Sequence, residues 1–392
     1  MKNIGFCLLL LLFTGWVSCK EEKHHPLVKG AVPGPVKDYT VRNLPGAAEI
    51  TYTIPDNKVS YIMAEYETKE GVKREARSSK YGNVLRVEGY PAAGDYDVTL
   101  FAVGRDDRRS EPLVVGVSPL RPPVLTSYDA LKVTPDFGGV RVNTENETHS
   151  NLVVNVITTD SLNEWYLADQ YFTSVDDINF SVRGFDAEPR QFGVFVRDQW
   201  LNYSDTFFAE ITPYFEEQID MSNFYETNLP GDQWENHQVG SSRSISRLFD
   251  GRKGSQSYAY YSVLNTGMPQ HFTIYLQGVY QLSRLKWWQN VGTAYGSSNP
   301  KRFRIWGSVN PNPNGDMDST WTLLGEFQNI KPSGLPLGET NADDVAQAEA
   351  GDEVSFDAGL PAVSYIRFET LETWAQNQQV YITEMEIWGS KH

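Results

Sequence analysis

The sequence predicts an all-β chain: two antiparallel β-sandwiches of about 100 residues in tandem, then a third β-domain rich in aromatic residues. Three observations carry this. First, "YDVTLFAVGRDDRRSEPLVVGVSP" (96–119) and "FGVFVRDQWLNYSDTFFAEITP" (192–213) share one pattern, in which an alternating apolar strand leads through an Asp-containing turn and a serine to a second strand and a closing proline. Ser110 and Ser204 are 94 residues apart, as are Pro119 and Pro213, so the repeat has the size of a domain. Second, apolar residues alternate in short runs between turn signals, with almost no helical periodicity. Third, the texture changes at Tyr214, beyond which lie seven of the ten tryptophans.

Ahead of these domains, Met1-Lys2-Asn3 and the uncharged run "IGFCLLLLLFTGWV" have the layout of an export signal. The run is shorter than the roughly 20 residues a spanning helix needs. Val17-Ser18-Cys19 resembles the lipobox of bacterial lipoproteins, with Trp16 where leucine is usual. The resemblance implies cleavage after residue 18 and acylation of Cys19 as a lipid anchor, with residues 19–32 as linker. Lys20-Glu21-Glu22 resembles the charged signal that sends some lipoproteins to the outer face of the cell.

The two sandwiches are placed at 33–120 and 121–214. Each opens with Pro-Val (Pro35-Val36, Pro123-Val124) and passes through a Gly-containing turn into "AEITYTI" or "GVRVNTE". The prolines of "SPLRPP" make a short stiff connector. The closing strand, turn, serine, strand and proline resemble those of fibronectin type III domains.

In the third domain, 215–392, the order "LFDG", "FTIYLQGVYQLSRLKWW", "NPKRFRIWGSVN", "WTLLGEF", "YIRFET", "ITEMEIWG" resembles the discoidin or factor V/VIII type C family, which includes carbohydrate-binding module family 32. That family is a galactose-binding-like jelly roll. Residues 328–352 form an insertion in that pattern and are expected to be a long functional or mobile loop.

Composition narrows the chemistry. A formal charge of −16 repels phosphate backbones and anionic lipid, which argues against nucleic acid as a partner. With Cys19 acylated, no thiol remains beyond the leader for a disulfide or a thiolate metal site. The six histidines are scattered without the i, i+4 spacing of a zinc helix, and no P-loop, nucleophile elbow or dinucleotide fingerprint occurs. Acids are plentiful, so glycoside hydrolysis stays open as a lesser alternative.

Sugars are held by stacking on aromatic rings, with polar planar side chains on their hydroxyls, and loop aromatics are therefore the informative ones. Alternation puts Leu285 and Trp287 on one face and Trp288 outward or at the strand end. Trp288, Tyr295 and Trp374 are the expected platforms, with Asn290, Arg302 and Asn377 as hydrogen-bonding partners. Trp306, Trp321 and Trp388 lie inside alternating strands and are expected in the core. Trp165 with Tyr166, and Trp200 with Tyr203, are expected to pack, an accessory patch being the alternative. By the family resemblance, Asp250, Ser255 and Glu384 are candidate ligands for a structural calcium, together with loop carbonyls.

The order of anchor, two spacers and jelly roll resembles the surface glycan-binding lipoproteins of Sus-like polysaccharide-utilisation systems. The resemblance implies a non-catalytic, cell-surface lipoprotein of the outer membrane that captures oligo- or polysaccharide for a TonB-dependent transporter and its glycan-binding lipoprotein. The alternative is an adhesive or structural lipoprotein that binds a protein partner.

Overall fold

The computed structural model describes residues 30–392 except 70, 234–241 and 256, so the lipid-anchor residue Cys19 lies outside the described residues. The chain is all-β. By contacts the described residues form two compact units: 30–129 with Thr148–Leu152 and Arg197–Ser204, and Ala130–Glu147, Val153–Val196 and Asp205–His392.

The first sandwich comprises β1 (Lys37–Leu44), β2 (Ala47–Thr53), β3 (Tyr61–Lys69), β4 (Val72–Ser79), β5 (Val84–Glu88), β6 (Tyr96–Val103) and β7 (Leu113–Val117). A three-stranded sheet, β1-β2-β5, faces a four-stranded one, β4-β3-β6-β7. Every second side chain turns inward, so Ala48, Ile50 and Tyr52 of β2 meet Ile62, Ala64, Val98 and Leu100 in one core.

The second sandwich opens on a short helix, α1 (Pro123–Asp129), where the sequence suggested only a connector. Proline's fixed φ and missing N–H suit the first turn of a helix, and "PVLTSYD" continues it. Then follow β8 (Lys132–Asp136), β9 (Gly139–Glu145), β10 (Leu152–Thr159), β11 (Trp165–Thr173), β12 (Asp177–Val182), β13 (Arg190–Asp198) and β14 (Phe207–Ile211). Its sheets, β12-β9-β8 and β11-β10-β13-β14, repeat the earlier plan. The hairpins are locked alike, by bridges Val103↔Arg109 and Arg197↔Tyr203, which differ by the same 94 residues as the sequence repeat. Ser110 shows why a serine follows: its Oγ accepts the Ala102 N–H at 3.0 Å, closing the turn.

The jelly roll comprises β15 (Glu217–Gln218), β16 (Tyr260–Tyr261), β17 (Gln270–Trp288), β18 (Pro300–Ser308), β19 (Thr322–Gln328), α2 (Ala342–Ala350), β20 (Asp352–Ser355), β21 (Val363–Thr373), β22 (Tyr381–Ile382) and β23 (Glu384–Lys391). The larger sheet runs β15-β23-β17-β21-β18-β19, with β20 also on β17, and β16 pairs with β22. The long β17 pairs with β21 over Gln270–Tyr275 and with β23 from Tyr280, the register shifting between. Its core is an aromatic stack: Phe368 lies parallel to Phe272 and Phe303, at 5.5 and 4.6 Å, and Trp287 meets Phe303 edge-on.

Two core expectations need correction. Trp306 and Trp388 are only half-buried, because Phe303 and Ile305, and Met385 and Ile387, take the inward phase of their strands. Trp306 Nε1 donates to Glu369 at 2.9 Å, and Arg284 lies 4.0 Å over Trp388. Trp321 is in the core as expected, beneath the buried Arg367 guanidinium.

Within the second unit, Glu216 joins sandwich to jelly roll. Its Oε1 accepts from Arg183 at 3.0 Å, Ser283 Oγ at 2.6 Å and Arg284 Nε at 3.1 Å.

Candidate functional site

Four loops meet at one end of the jelly roll. Asn290 starts the turn after β17 by accepting the Gly292 N–H on its own side chain at 3.0 Å, while its backbone N–H donates to Asn299 Oδ1 at 2.9 Å. The turn is stapled to the preceding loop by Val291 N–H on Gly254 O (3.3 Å) and to the β21–β22 loop by Trp374 N–H on Asn299 O (3.0 Å). Asn377 Nδ2 donates to Ser298 Oγ at 3.2 Å. The insertion supplies the fourth wall. It is ordered rather than a loose loop: Lys331 Nζ is buried among the carbonyls of Leu335, Pro336 and Glu339, and Asn341 and Asp344 form a capping box that starts α2.

This packing decides what each expected residue can do. Trp288 is 2% exposed and Tyr295 fully buried, so neither presents a face to solvent, which corrects their reading as platforms. The insertion is the cause for Trp288: its Nε1 donates to Glu349 O at the end of α2, Gly351 lies against the ring, and Lys253 sits 4.0 Å above it. Tyr295 packs with Ala348 of α2. Asn290 is likewise buried as the cap of its turn. Arg302 is exposed on the sheet, and its guanidinium is paired with Glu326 at 3.1 Å.

Trp374 remains. Half-buried, it rests edge-on against Tyr295 (5.5 Å, 90°) and is fixed by Nε1 on Asn329 Oδ1 at 2.8 Å. Lys301 Nζ lies 5.5 Å over its ring and pairs with Glu372 at 3.0 Å; exposed Gln376 and Asn377 follow in the loop. Lys301, Glu372 and Asn329 were not singled out from sequence, since only the irregular register at Pro300–Phe303 and the course of the insertion bring them to Trp374. Below the ring, burial pushes Asp352 up to about 6 despite hydrogen bonds from Gln289, Asn329 and Gln347.

Asp250 and Glu384 do come together. Both accept the single Arg252 N–H, each at 3.1 Å, and Arg247 pairs with the other Asp250 oxygen at 2.9 Å. Burial, with the charge of Asp250, pushes the Glu384 carboxyl up to about 7. An open hollow of about 480 Å³ beside them is lined by Asp220, Ser222, Gly251 and Glu386. Ser255 is half-buried in the same loop. Two adjacent carboxylates, that of Glu384 with its proton affinity raised, are the oxygen chemistry that suits a hard cation. Among the described residues no group of three His, Cys, Asp or Glu side chains is placed to hold a metal.

The four other aromatic residues divide. Trp200 packs: Arg74 lies 4.7 Å over its ring and donates to its carbonyl. Tyr203, Trp165 and Tyr166 are exposed, against the expectation of packing.

Three family models match, each described as a domain of unknown function: DUF4959 at residues 33–119, DUF5126 at 120–222 and DUF5000 at 249–389. No curated protein matches. Among solved structures, the chain is similar to the SusE-like protein BT2857, with 31% identity over 69% of this chain and 100% of that one and a TM-score of 0.45. It is also similar to a CBM32 domain of a family 31 glycoside hydrolase from Clostridium perfringens (15% identity, 44% and 94% covered, TM-score 0.32). A two-domain fibronectin type III segment of chicken tenascin matches at 13% identity, with 45% and 99% covered and a TM-score of 0.22. On the strength of 31% identity along the whole of the first of these, the chain belongs to the SusE-like family.

Proposed function

We propose that this protein is a non-catalytic, lipid-anchored protein of the outer-membrane cell surface that captures oligo- or polysaccharide at the loop end of its jelly roll and passes it to a TonB-dependent transporter. The observation that supports this best is Trp374: a half-exposed ring, braced from behind by Tyr295 and Asn329 and rimmed by Lys301, Glu372 and Asn377. The apolar CH face of a sugar stacks on such a ring, and the amide, ammonium and carboxylate groups around it exchange hydrogen bonds with the hydroxyls. Asp250, Ser255 and Glu384, with loop carbonyls, would hold a structural calcium, which supplies positive charge between the two carboxylates and so tightens the loop beside the site. One ring makes a weak site, and density on a surface compensates through effective concentration.

Native affinity gels containing plant, host and microbial polysaccharides test the reading. Retardation by one glycan is expected, weakened about fivefold in Trp374→Ala, since one aromatic contact contributes about 1 kcal/mol. No retardation by any glycan, or retardation untouched by Trp374→Ala, would overturn it. Calcium is expected to raise the melting temperature, chelator to lower it, and Glu384→Gln to abolish the difference; equal melting in calcium and chelator removes calcium from the proposal.

A further inference from the structure

The tandem sandwiches contain their own control. β4 and β11 occupy the same place, first in the orders β4-β3-β6-β7 and β11-β10-β13-β14, each bounding its sheet. Such edge strands invite pairing and are ordinarily guarded by charge. β4 is guarded, as "VKREARSS", with Lys73, Arg74, Glu75 and Arg77 in eight residues. β11 reads "WYLADQYFT", and none of its nine residues is buried. Trp165, Tyr166 and Leu167 are 46, 42 and 48% exposed.

The apolar surface continues across the sheet. The Trp165 ring meets Phe208 of β14 at 5.1 Å, and Phe208 is 57% exposed. Gly193 of β13 permits this, because a Cβ there would lie 2.9 Å from the Phe208 ring.

Charge narrows the occupant. Between Arg141 and Arg183 there is no lysine or arginine, while Glu145, Glu147, Asp160, Glu164, Asp169, Asp176 and Asp177 are all acids. A second copy would set acid against acid, and an anionic polysaccharide is repelled in the same way. The two rings meet at 60°, a ridge rather than the flat platform a neutral sugar needs.

We propose that β11 is a docking edge for an extended, Lys- or Arg-bearing segment of a partner protein, which adds as a further strand and sets its apolar side chains beside Trp165 and Leu167.

The test uses the detergent-solubilised full chain and a random linear decapeptide phage library, counter-selected on Leu167→Lys, which restores a guard at an exposed position. Recovered peptides are expected to alternate apolar and basic residues. A synthetic one should bind the parent at least tenfold more tightly than Leu167→Lys or Asp169→Lys, slow amide exchange along β11, and fail when its alternate amides are N-methylated. Several results overturn the proposal: no peptide that tells parent from Leu167→Lys, peptides rich in acids, binding that leaves β11 exchange unchanged, dimerisation of the chain through β11, or displacement of the peptide by a neutral oligosaccharide.

Discussion

Asp352 offers a sharp test of how the insertion is held. It begins β20 opposite Trp287 and accepts from Gln289 Nε2 at 3.1 Å, with Asn329 and Gln347 as further donors, yet burial outweighs them and its carboxyl titrates near 6. A folded-state value above the ordinary 3.8 means that the native protein prefers the proton. Asp352 therefore favours folding fully below about pH 4, and that contribution is lost as pH rises through 6. A value near 6 in place of 3.8 corresponds to about 3 kcal/mol; because the residue keeps some exposure to water, roughly 2 kcal/mol is the working figure. Asp352→Asn removes the ionisation. Its stability relative to the parent should rise by about 1 kcal/mol between pH 4.5 and 7.5, the rest of the change falling below pH 4.5, or roughly 2–4 °C in the transition of a domain of this size. Calorimetry of both proteins across that range is the assay. Exchanging a carboxylate for an amide also alters hydrogen bonds, but that offset does not vary with pH, and Glu384, which titrates near 7, is common to both proteins and cancels. A gap between variant and parent that stays constant from pH 4.5 to 7.5 would refute the reasoning.

Glu216→Ala leaves Arg183 and Arg284 without their shared carboxylate in a largely buried site; because Asp136 and Glu353 still pair with them, the expected cost is about 1–3 kcal/mol. Because Glu216 ties two sheets of the second unit, calorimetry should also show one unfolding transition becoming two; a single unshifted transition contradicts its role. Gly351 stands at φ +89°, and a Cβ there would lie 2.5 Å from Trp288, so Gly351→Ala should cost about 1–3 kcal/mol and free the Trp288 ring from α2. A red-shifted tryptophan emission with a lowered melting temperature is expected; an alanine variant identical to the parent in both would show that α2 does not clamp the ring.

Strand placement was legible because alternation is a local property: the segments around Tyr96 and Phe192 declare their faces without knowledge of the rest. The phase of an aromatic residue was less so. Trp306 and Trp388 sit in strands, as read, but phenylalanine, methionine and isoleucine hold the inward positions, leaving the indoles to pair with Glu369 and Arg284. Least legible were the loops. Trp288, Tyr295 and Asn290 lie in the right region, since their turn does join the site, but whether a loop ring faces water depends on what covers it. Here the cover is α2, from an insertion in the discoidin-like pattern some 50 residues further on, and nothing local to Trp288 or Tyr295 announces it. The pairing of Asp250 with Glu384 was read from resemblance alone, because residues so far apart in sequence carry no spacing signal.

The insertion narrows the proposed binding site as it builds it. By laying α2 on Trp288 and Tyr295 it converts two apparent platforms into packing, and what it leaves exposed is one ring, Trp374, pinned by its own Asn329. One stacking contact contributes about 1 kcal/mol, far too little to hold a soluble oligosaccharide for long. A lone weak site is useful where ligand and protein are both repeated, on a polymer that offers many sugars and a surface that carries many copies, so that release from one site is followed by capture at the next. The lipid anchor expected at Cys19 would supply that repetition on the protein's side. A docking edge on the second sandwich would add a constraint of a different kind, holding the weak site near whichever partner takes the glycan onward. The two features are physically separable. Leu167→Lys should abolish docking and leave glycan retardation intact, Trp374→Ala should do the reverse, and a variant that removed both activities would place them on one surface instead of two.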